Sequence, residues 1–251
     1  MIEVRNLSKR FRDKKRGEIR AVDGISFRCE PGQIYGLLGA NGAGKTTTLR
    51  MLATILEPTD GTAVVCGYDV VDQPEKVRAK VGFLSTATAL YPRLTARELV
   101  QYFGRLNGLG EAVLKERVDK IFDRLDMNGF RDRRCDKLST GMKQKTSIAR
   151  TLVHDPPVMI FDEPTLGLDI MTARTITEFI HECRSAGKTV IFSTHIMSEV
   201  EKLCDVIGIV QNGKLLAEGT LAQLRQKSGE QDLEEIFLKV VAPHYTPPEE
   251  H

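Results

Sequence analysis

Three short runs and one helix start in this chain carry residue types that handle phosphate. The first is Gly39-Ala40-Asn41-Gly42-Ala43-Gly44-Lys45-Thr46, followed by Thr47. Glycines at this spacing let a backbone turn tightly and aim its N–H groups inward. A lysine and a hydroxyl close the run, which is the pattern of a loop that cradles nucleotide phosphates. The flanks fit that use. The apolar run Ile34 to Leu38 predicts a strand before the loop, and Thr46 to Leu56 predicts a helix after it. A helix start adds partial positive charge where phosphates would rest. Lys45 would supply a full charge to the β- and γ-phosphates, and Thr46 a hydroxyl to Mg²⁺.

The second run, Val158-Met159-Ile160-Phe161-Asp162-Glu163, is an apolar strand that ends in two carboxylates. Ligands of parallel sheets bind beyond the carboxyl ends of the strands. Asp162 suits the shell of Mg²⁺, and Glu163 would lie near an attacking water as its base. Alone, such a pair also reads as a solvated turn; the phosphate loop in the same chain favours the chemical reading. The third run, Thr189 to His195, is another apolar strand, and its terminal histidine can donate to a γ-phosphate oxygen. Leu138-Ser139-Thr140-Gly141 precedes a helical stretch, Thr146 to Val153. The Ser139 hydroxyl and the Gly141 N–H would make a second anion cradle at that helix start, serving a nucleotide held by another copy of the chain.

The elements that must position these residues are legible as patterns. Residues 1–35 alternate apolar and polar and predict short antiparallel strands. Further strands are expected at 62–66 and 81–84, after Asp60-Gly61 in the first case. Thr95-Ala96-Arg97-Glu98 is a capping box, and Leu99, Tyr102, Phe103 and Leu106 behind it fall on one helical face. Leu114, Val118, Ile121 and Leu125 mark the next helix. Ile176, Phe179, Ile180 and Cys183 share a face of a later helix. Val206 to Val210, Asn212-Gly213 and Leu215 to Ala217 predict a hairpin. The chain therefore reads as an α/β core, 1–86 and 151–220, with an antiparallel β part, a helical insert over about 87–150 and a flexible tail, 241–251.

Composition bounds the partners. The 251 residues are 41% hydrophobic and 28% charged with a formal net charge of +2, so no strong field points to nucleic acid. The basic run Lys9 to Arg16 reads as a solvated loop, with acidic lipid as the sharper alternative. No stretch approaches the roughly 18 apolar residues of a membrane span, and Met1 to Arg5 lacks the apolar core of a signal peptide. Five cysteines without a Cys-x-x-Cys pair read as buried thiols in a reducing cytosol, and five histidines show no metal-ligand spacing.

The order of these segments resembles the ATP-binding subunit of an ATP-binding-cassette (ABC) transporter over residues 1 to about 240. The phosphate loop matches without departure, and Asp162-Glu163 matches the second Walker motif. Ser139 and Gly141 match the Leu-Ser-Gly-Gly-Gln signature, with Thr140 in place of its first glycine and Met142 in place of its glutamine. Leu166-Gly167-Leu168-Asp169 resembles the loop that contacts the opposite subunit, and Ser193-Thr194-His195 the switch histidine. Phe11 fits the aromatic that stacks on adenine, although the basic insertion after it lengthens the usual spacing. Thr86 stands where the family has a metal-contacting glutamine; its shorter reach leaves direct contact with Mg²⁺ and a bridging water as alternatives. Leu138 to Gln144, together with Leu90 to Thr95, is similar to the exporter branch that includes sodium-efflux (NatA-like) and drug-efflux ATPases.

The resemblance implies a P-loop NTPase (RecA-like) core that binds ATP and Mg²⁺. Two copies would dimerise around two ATP and drive a separate transmembrane permease through the helical insert. The location implied is the cytoplasmic face of the membrane. The alternatives are a non-transport cassette ATPase acting on ribosome or DNA, and a regulatory binder that holds ATP as a switch. No nucleic acid partner is expected, and no Asn-Lys-x-Asp segment suggests a GTPase.

Overall fold

Strands buried on both faces of a parallel sheet read as unbroken apolar runs. The three runs that end in candidate site residues behave this way: every residue of 34–38, 158–162 and 189–194 is buried in the computed structural model. The structure describes residues 1–13, 17–85 and 89–244.

In chain order the elements begin with β1 (Ile2–Asp13), β2 (Gly17–Cys29), β3 (Ile34–Leu38), α1 (Lys45–Leu52), β4 (Asp60–Val65), β5 (Tyr68–Asp69), α2 (Pro74–Arg78) and β6 (Val81–Ser85). Between β6 and β7 come α3 (Ala96–Leu106), α4 (Glu111–Arg124) and α5 (Thr140–Leu152). The chain then runs through β7 (Val158–Asp162), α6 (Ile170–Ser185), β8 (Thr189–Thr194), α7 (Met197–Leu203), β9 (Val206–Gln211), β10 (Lys214–Gly219), α8 (Leu221–Ser228) and α9 (Leu233–Val241).

Six strands form the main sheet in the order β10-β9-β3-β8-β7-β6, parallel except for the β9–β10 hairpin. The hairpin turn has positive φ at both Asn212 (49°) and Gly213 (74°), the geometry its Asn-Gly pair favours. A second, antiparallel sheet has the order β2-β1-β4-β5. The expected α/β P-loop architecture with an antiparallel β part and a helical insert is the architecture observed.

Period-two alternation along the buried strands divides the core between the two faces. Met159, Phe161, Val190 and Phe192 face the helical insert. Ile160, Ile191, Tyr35 and Leu37 face the antiparallel sheet and α1. A third cluster, with Ile207, Leu224, Leu233 and Ile236, holds α7 to α9 against β9. All five cysteines are free thiols; Cys29, Cys135 and Cys183 are buried, and desolvation pushes Cys29 and Cys183 up to about 12.

Strand order and register bring the candidate chemistry to one edge. β3, β8 and β7 are adjacent, with Leu38 opposite Thr194 and Asp162 opposite Ser193. The phosphate loop, His195 and the Asp162-Glu163 pair therefore leave the sheet side by side. Ser85 pairs with Asp162 one strand further out; Thr86 lies outside the described residues.

Two boundaries and one buried face differ from the sequence expectation. Helix α1 stops at Leu52 rather than Leu56, because Thr54 takes a left-handed φ of 55° and the N–H groups of Ile55 and Leu56 turn back to the Arg50 carbonyl. The flexible tail expected from 241 starts too early: Val241 is a buried residue of α9, and a 3₁₀ turn continues to His244. On α3 the expected capping box forms, but the face packed inward is Ala96, Leu99 and Val100. Tyr102 is 45% exposed and Leu106 67%: Leu106 lines an open cleft, and Tyr102 packs edge-on against Tyr91 and Phe103.

Candidate nucleotide site

The phosphate loop owes its shape to what surrounds it. A side-chain carbon on Gly39 would lie 2.4 Å from the Val210 carbonyl oxygen, and one on Gly44 would lie 2.5 Å from that of Ala21. Gly44 also takes a φ of 107° and Gly42 one of 81°, conformations that side chains resist. Asn41 to Thr47, with Ala21 and Glu163, line a depression of about 140 Å³. Lys45 opens α1 and is only 4% exposed. Its ammonium donates to the carbonyls of Gly39 (2.7 Å) and Ala40 (3.1 Å) and pairs with Glu163 Oε1 at 3.1 Å.

The two carboxylates of β7 are held differently. Asp162 is buried and accepts from the hydroxyls of Thr46 and Ser193, both at 2.9 Å on Oδ1. Glu163 is the residue where the strand turns, with a left-handed φ of 47°, a strained conformation that occurs more often at functional sites. Its N–H donates to the Ser193 carbonyl and hydroxyl at 3.1 Å each. Its Oε2 lies 2.7 Å from His195 Nδ1. Lys45 and Glu163 line the depression, and His195, outside that lining, continues the row through its contact with Glu163.

Mg²⁺ fits these residues. Thr46 and Asp162 place a hydroxyl and a carboxylate together, the hard oxygen donors this ion takes. Among the described residues no group of three or more His, Cys, Asp or Glu side chains could form a full protein cage. An ion here would draw its remaining ligands from phosphate and water, as Mg²⁺ characteristically does.

The second cradle is elsewhere on the surface. Ser139 is exposed and caps α5, its hydroxyl accepting from the Met142 N–H at 3.3 Å. Gly141 lines a small depression with Met171 and Thr172 at the start of α6, where Asp169 caps the helix by accepting from the Met171 and Thr172 N–H groups at 3.0 Å. Neither Ser139 nor Gly141 lines the phosphate-loop depression. Phe11 is not in that lining either; it stands on the β1–β2 ribbon opposite Ile19, 39% exposed, with the Lys9 ammonium 5.5 Å from its ring centre.

Residues 22–166 match the family described as ABC transporter. This chain belongs to the ABC transporter family, as an ATP-binding subunit. It is 44% identical to the ABC transporter ATP-binding protein NatA of Bacillus subtilis (strain 168), over 95% of this chain and 97% of the relative. The Nod factor export ATP-binding protein I of Paraburkholderia xenovorans (strain LB400) is 40% identical, over 89% of this chain and 74% of the relative. A solved ATP-binding subunit of an ABC transporter is similar in fold at a TM-score of 0.86 and 30% identity, covering 96% of this chain and 99% of that one. A dimeric bacterial ABC transporter cassette follows at 0.79 and 25%, covering 88% and 98%. The cassette binds ATP and is an ATPase.

Two residues of the cassette's site were not singled out from sequence. Ala21 is the extra residue of a bulge, between the Arg10–Arg20 and Lys9–Val22 pairs, and the bulge presses its carbonyl toward Gly44. No local signal marks it. Ser193 is fully buried and bonds both Asp162 and the Glu163 backbone. The hydroxyl pair Ser193-Thr194, closing the apolar run Val190 to Phe192, was the available signal.

Proposed function

We propose that two copies of this cassette close head to tail around two ATP molecules and so drive a separate membrane permease, in the export direction. Each ATP would lie between the phosphate loop of one copy and Ser139 and Gly141 of the other. Lys45 and the loop N–H groups of Gly39 to Thr47 bind the phosphates, and Phe11 stacks on the adenine. Thr46 and Asp162 would hold Mg²⁺, with Thr86 a further candidate; the ion, when bound, would neutralise phosphate charge. Glu163 takes the proton of the attacking water, and His195 holds Glu163 while sensing the γ-phosphate. Phosphoryl transfer needs little covalent help, so this positioning of charge supplies most of the catalysis.

The row Lys45–Glu163–His195 supports this reading, because it links charge, base and sensor by direct contacts beside the phosphate-loop depression. The exposed apolar residues Leu166, Ile170 and Met171 beside the Gly141 depression support a second copy as the cover of that face. No helix among the described residues is long and apolar enough to cross a membrane, so solute movement would need another subunit. One relative is named for Nod factor export and another, of Bacillus subtilis, for linearmycin resistance, which supports outward transport on the cytoplasmic side of a membrane. The test is Glu163→Gln: it should bind ATP and dimerise in its presence, while turnover falls by roughly 10²- to 10⁴-fold, the range of a general base. Hydrolysis at the unaltered rate would overturn the assignment.

A further inference from the structure

The turn between β9 and β10 lies directly against the phosphate loop. The Gly213 N–H donates to the Ala43 carbonyl at 2.9 Å, and the Gly213 carbonyl accepts from the Asp23 N–H at 2.8 Å. At the end of β9, the Val210 carbonyl fills the space that a side chain on Gly39 would need. A carbon added at Gly44 would come within 3.3 Å of the Gly213 Cα. Residues 210–213 therefore wall the loop at both its first and its last glycine. Packed backbone at these distances has little slack, so a shift of the turn is passed to the loop.

What ties the turn down comes from the far end of the chain. Asn212 is exposed and takes a left-handed φ of 49°. Its amide is engaged at both ends: Nδ2 donates to the His244 carbonyl at 2.8 Å, and Oδ1 accepts from Gln211 Nε2 at 3.4 Å. Gln211 is buried, and its Oε1 has no partner among the described residues, so Asn212 is the partner of an amide that is otherwise poorly served. His244 ends the 3₁₀ turn Ala242–His244, which follows α9. Leu233, Ile236 and Val241 bury α9 in the cluster that includes Ile207 and Ile209 of β9. The carbonyl that holds Asn212 is thus carried by a fixed element 32 residues further along the chain.

The hairpin does not need this contact. Asn-Gly makes such a turn by its own backbone preference, which calls for no distant partner. The contact adds no apolar burial either, since Asn212 and residues 242–244 are all exposed. What it adds is a tie between the last helix and the turn that walls the phosphate loop.

We infer that Asn212 is a positioning residue for ATP binding, and that the 3₁₀ turn after α9 is a brace that keeps the phosphate loop in its binding shape. Asn212 does not line the phosphate-loop depression; it acts through the Gly213–Ala43 bond. The inference rests on the proposed role of the phosphate loop. It adds the segment through His244 to the ATP-binding apparatus, so that drawing this turn away from Asn212 weakens the hold on nucleotide.

The test is a double-mutant cycle in the full chain, read as ATPase kinetics, as ATP affinity by calorimetry and as melting temperature. Asn212→Gly keeps the left-handed backbone and removes the amide. Asn212→Asp keeps the shape and replaces the donor by a carboxylate, which only accepts. Pro243→Gly leaves Asn212 intact and loosens the turn that carries the His244 carbonyl. Each should raise the KM and Kd for ATP about threefold, the scale of one exposed hydrogen bond, while kcat stays as it was. Asn212→Gly combined with Pro243→Gly should be no worse than either alone, because both break the same tie. Additive losses, or no loss in Pro243→Gly, would place the effect in the hairpin alone and overturn the brace. Unchanged ATP affinity in Asn212→Gly would also overturn it. A fall in kcat in step with the rise in KM, or a melting point several degrees lower, would make Asn212 a general support of the fold and not a positioning residue. Lys45→Ala, measured alongside, separates this inference from the reading beneath it. If Lys45→Ala weakens ATP binding and Asn212→Gly does not, only the brace falls. If Lys45→Ala binds ATP normally, the loop is not the site and both fall.

Discussion

The phosphate loop and the Ser139 turn are both helix starts, each proposed to meet phosphate, and they differ in how much the chain itself supplies. Around the loop, a lysine, two carboxylates, a histidine and a buried serine converge from three neighbouring strand ends and α1. At the Ser139 turn the hydroxyl caps its own helix, and the nearby side chains are polar or apolar groups of α5 and α6 with no catalytic carboxylate. On the proposed function the first is the reaction site and the second a binding edge. A fold can divide labour in this way when the edge of one copy completes the site of the other.

Four experiments would break or sharpen that contrast. Lys45→Ala should weaken ATP binding most, on the order of a hundredfold, since it removes a buried charge-assisted contact; unchanged affinity by calorimetry would put the phosphates elsewhere. Ser139→Arg should abolish the ATP-induced dimer on a sizing column while leaving ATP affinity of the monomer as it was. If monomer affinity falls as well, the two regions are less separate than their geometry indicates. Ser193→Ala removes the hydroxyl between Asp162 and Glu163 and should lower kcat roughly tenfold with little change in the KM for ATP, a loss of one or two hydrogen bonds that only position other groups. The smallest effect concerns Glu163→Gln again: phosphates compete with Glu163 for Lys45, so this variant should bind ATP about fivefold more tightly, a fraction of one ion-pair contact. Equal affinity would mean that the Lys45–Glu163 contact is too weak to matter.

Much of this molecule was legible in its sequence because the relevant signals are local. Unbroken apolar runs identified β3, β7 and β8, and the candidate residues that follow these runs are the ones the fold brings together. Thr95 and Glu98 formed the capping box that their spacing required. Asn212-Gly213 made the expected hairpin. What stayed hidden depends on partners distant in the chain. The Ala21 bulge is a mismatch between two strands, which neither strand shows by itself. Ser193 matters only because register sets it opposite Asp162. The periodicity of α3 located a helix but overstated its buried face, since Tyr102 and Leu106 are apolar for a surface that this chain does not cover.

The close approaches at Gly39 and Gly44 have a consequence for how tightly a phosphate group could be held. Strands β2 and β9 brace the loop from outside, so its mould exists before any ligand arrives. The same stretch cut out as a peptide would be a limp string that must first be organised, and most of its grip would be spent on that task. On the proposed function the nucleotide would meet a socket already shaped by the scaffold behind it, and that ordering cost would not be drawn from its binding.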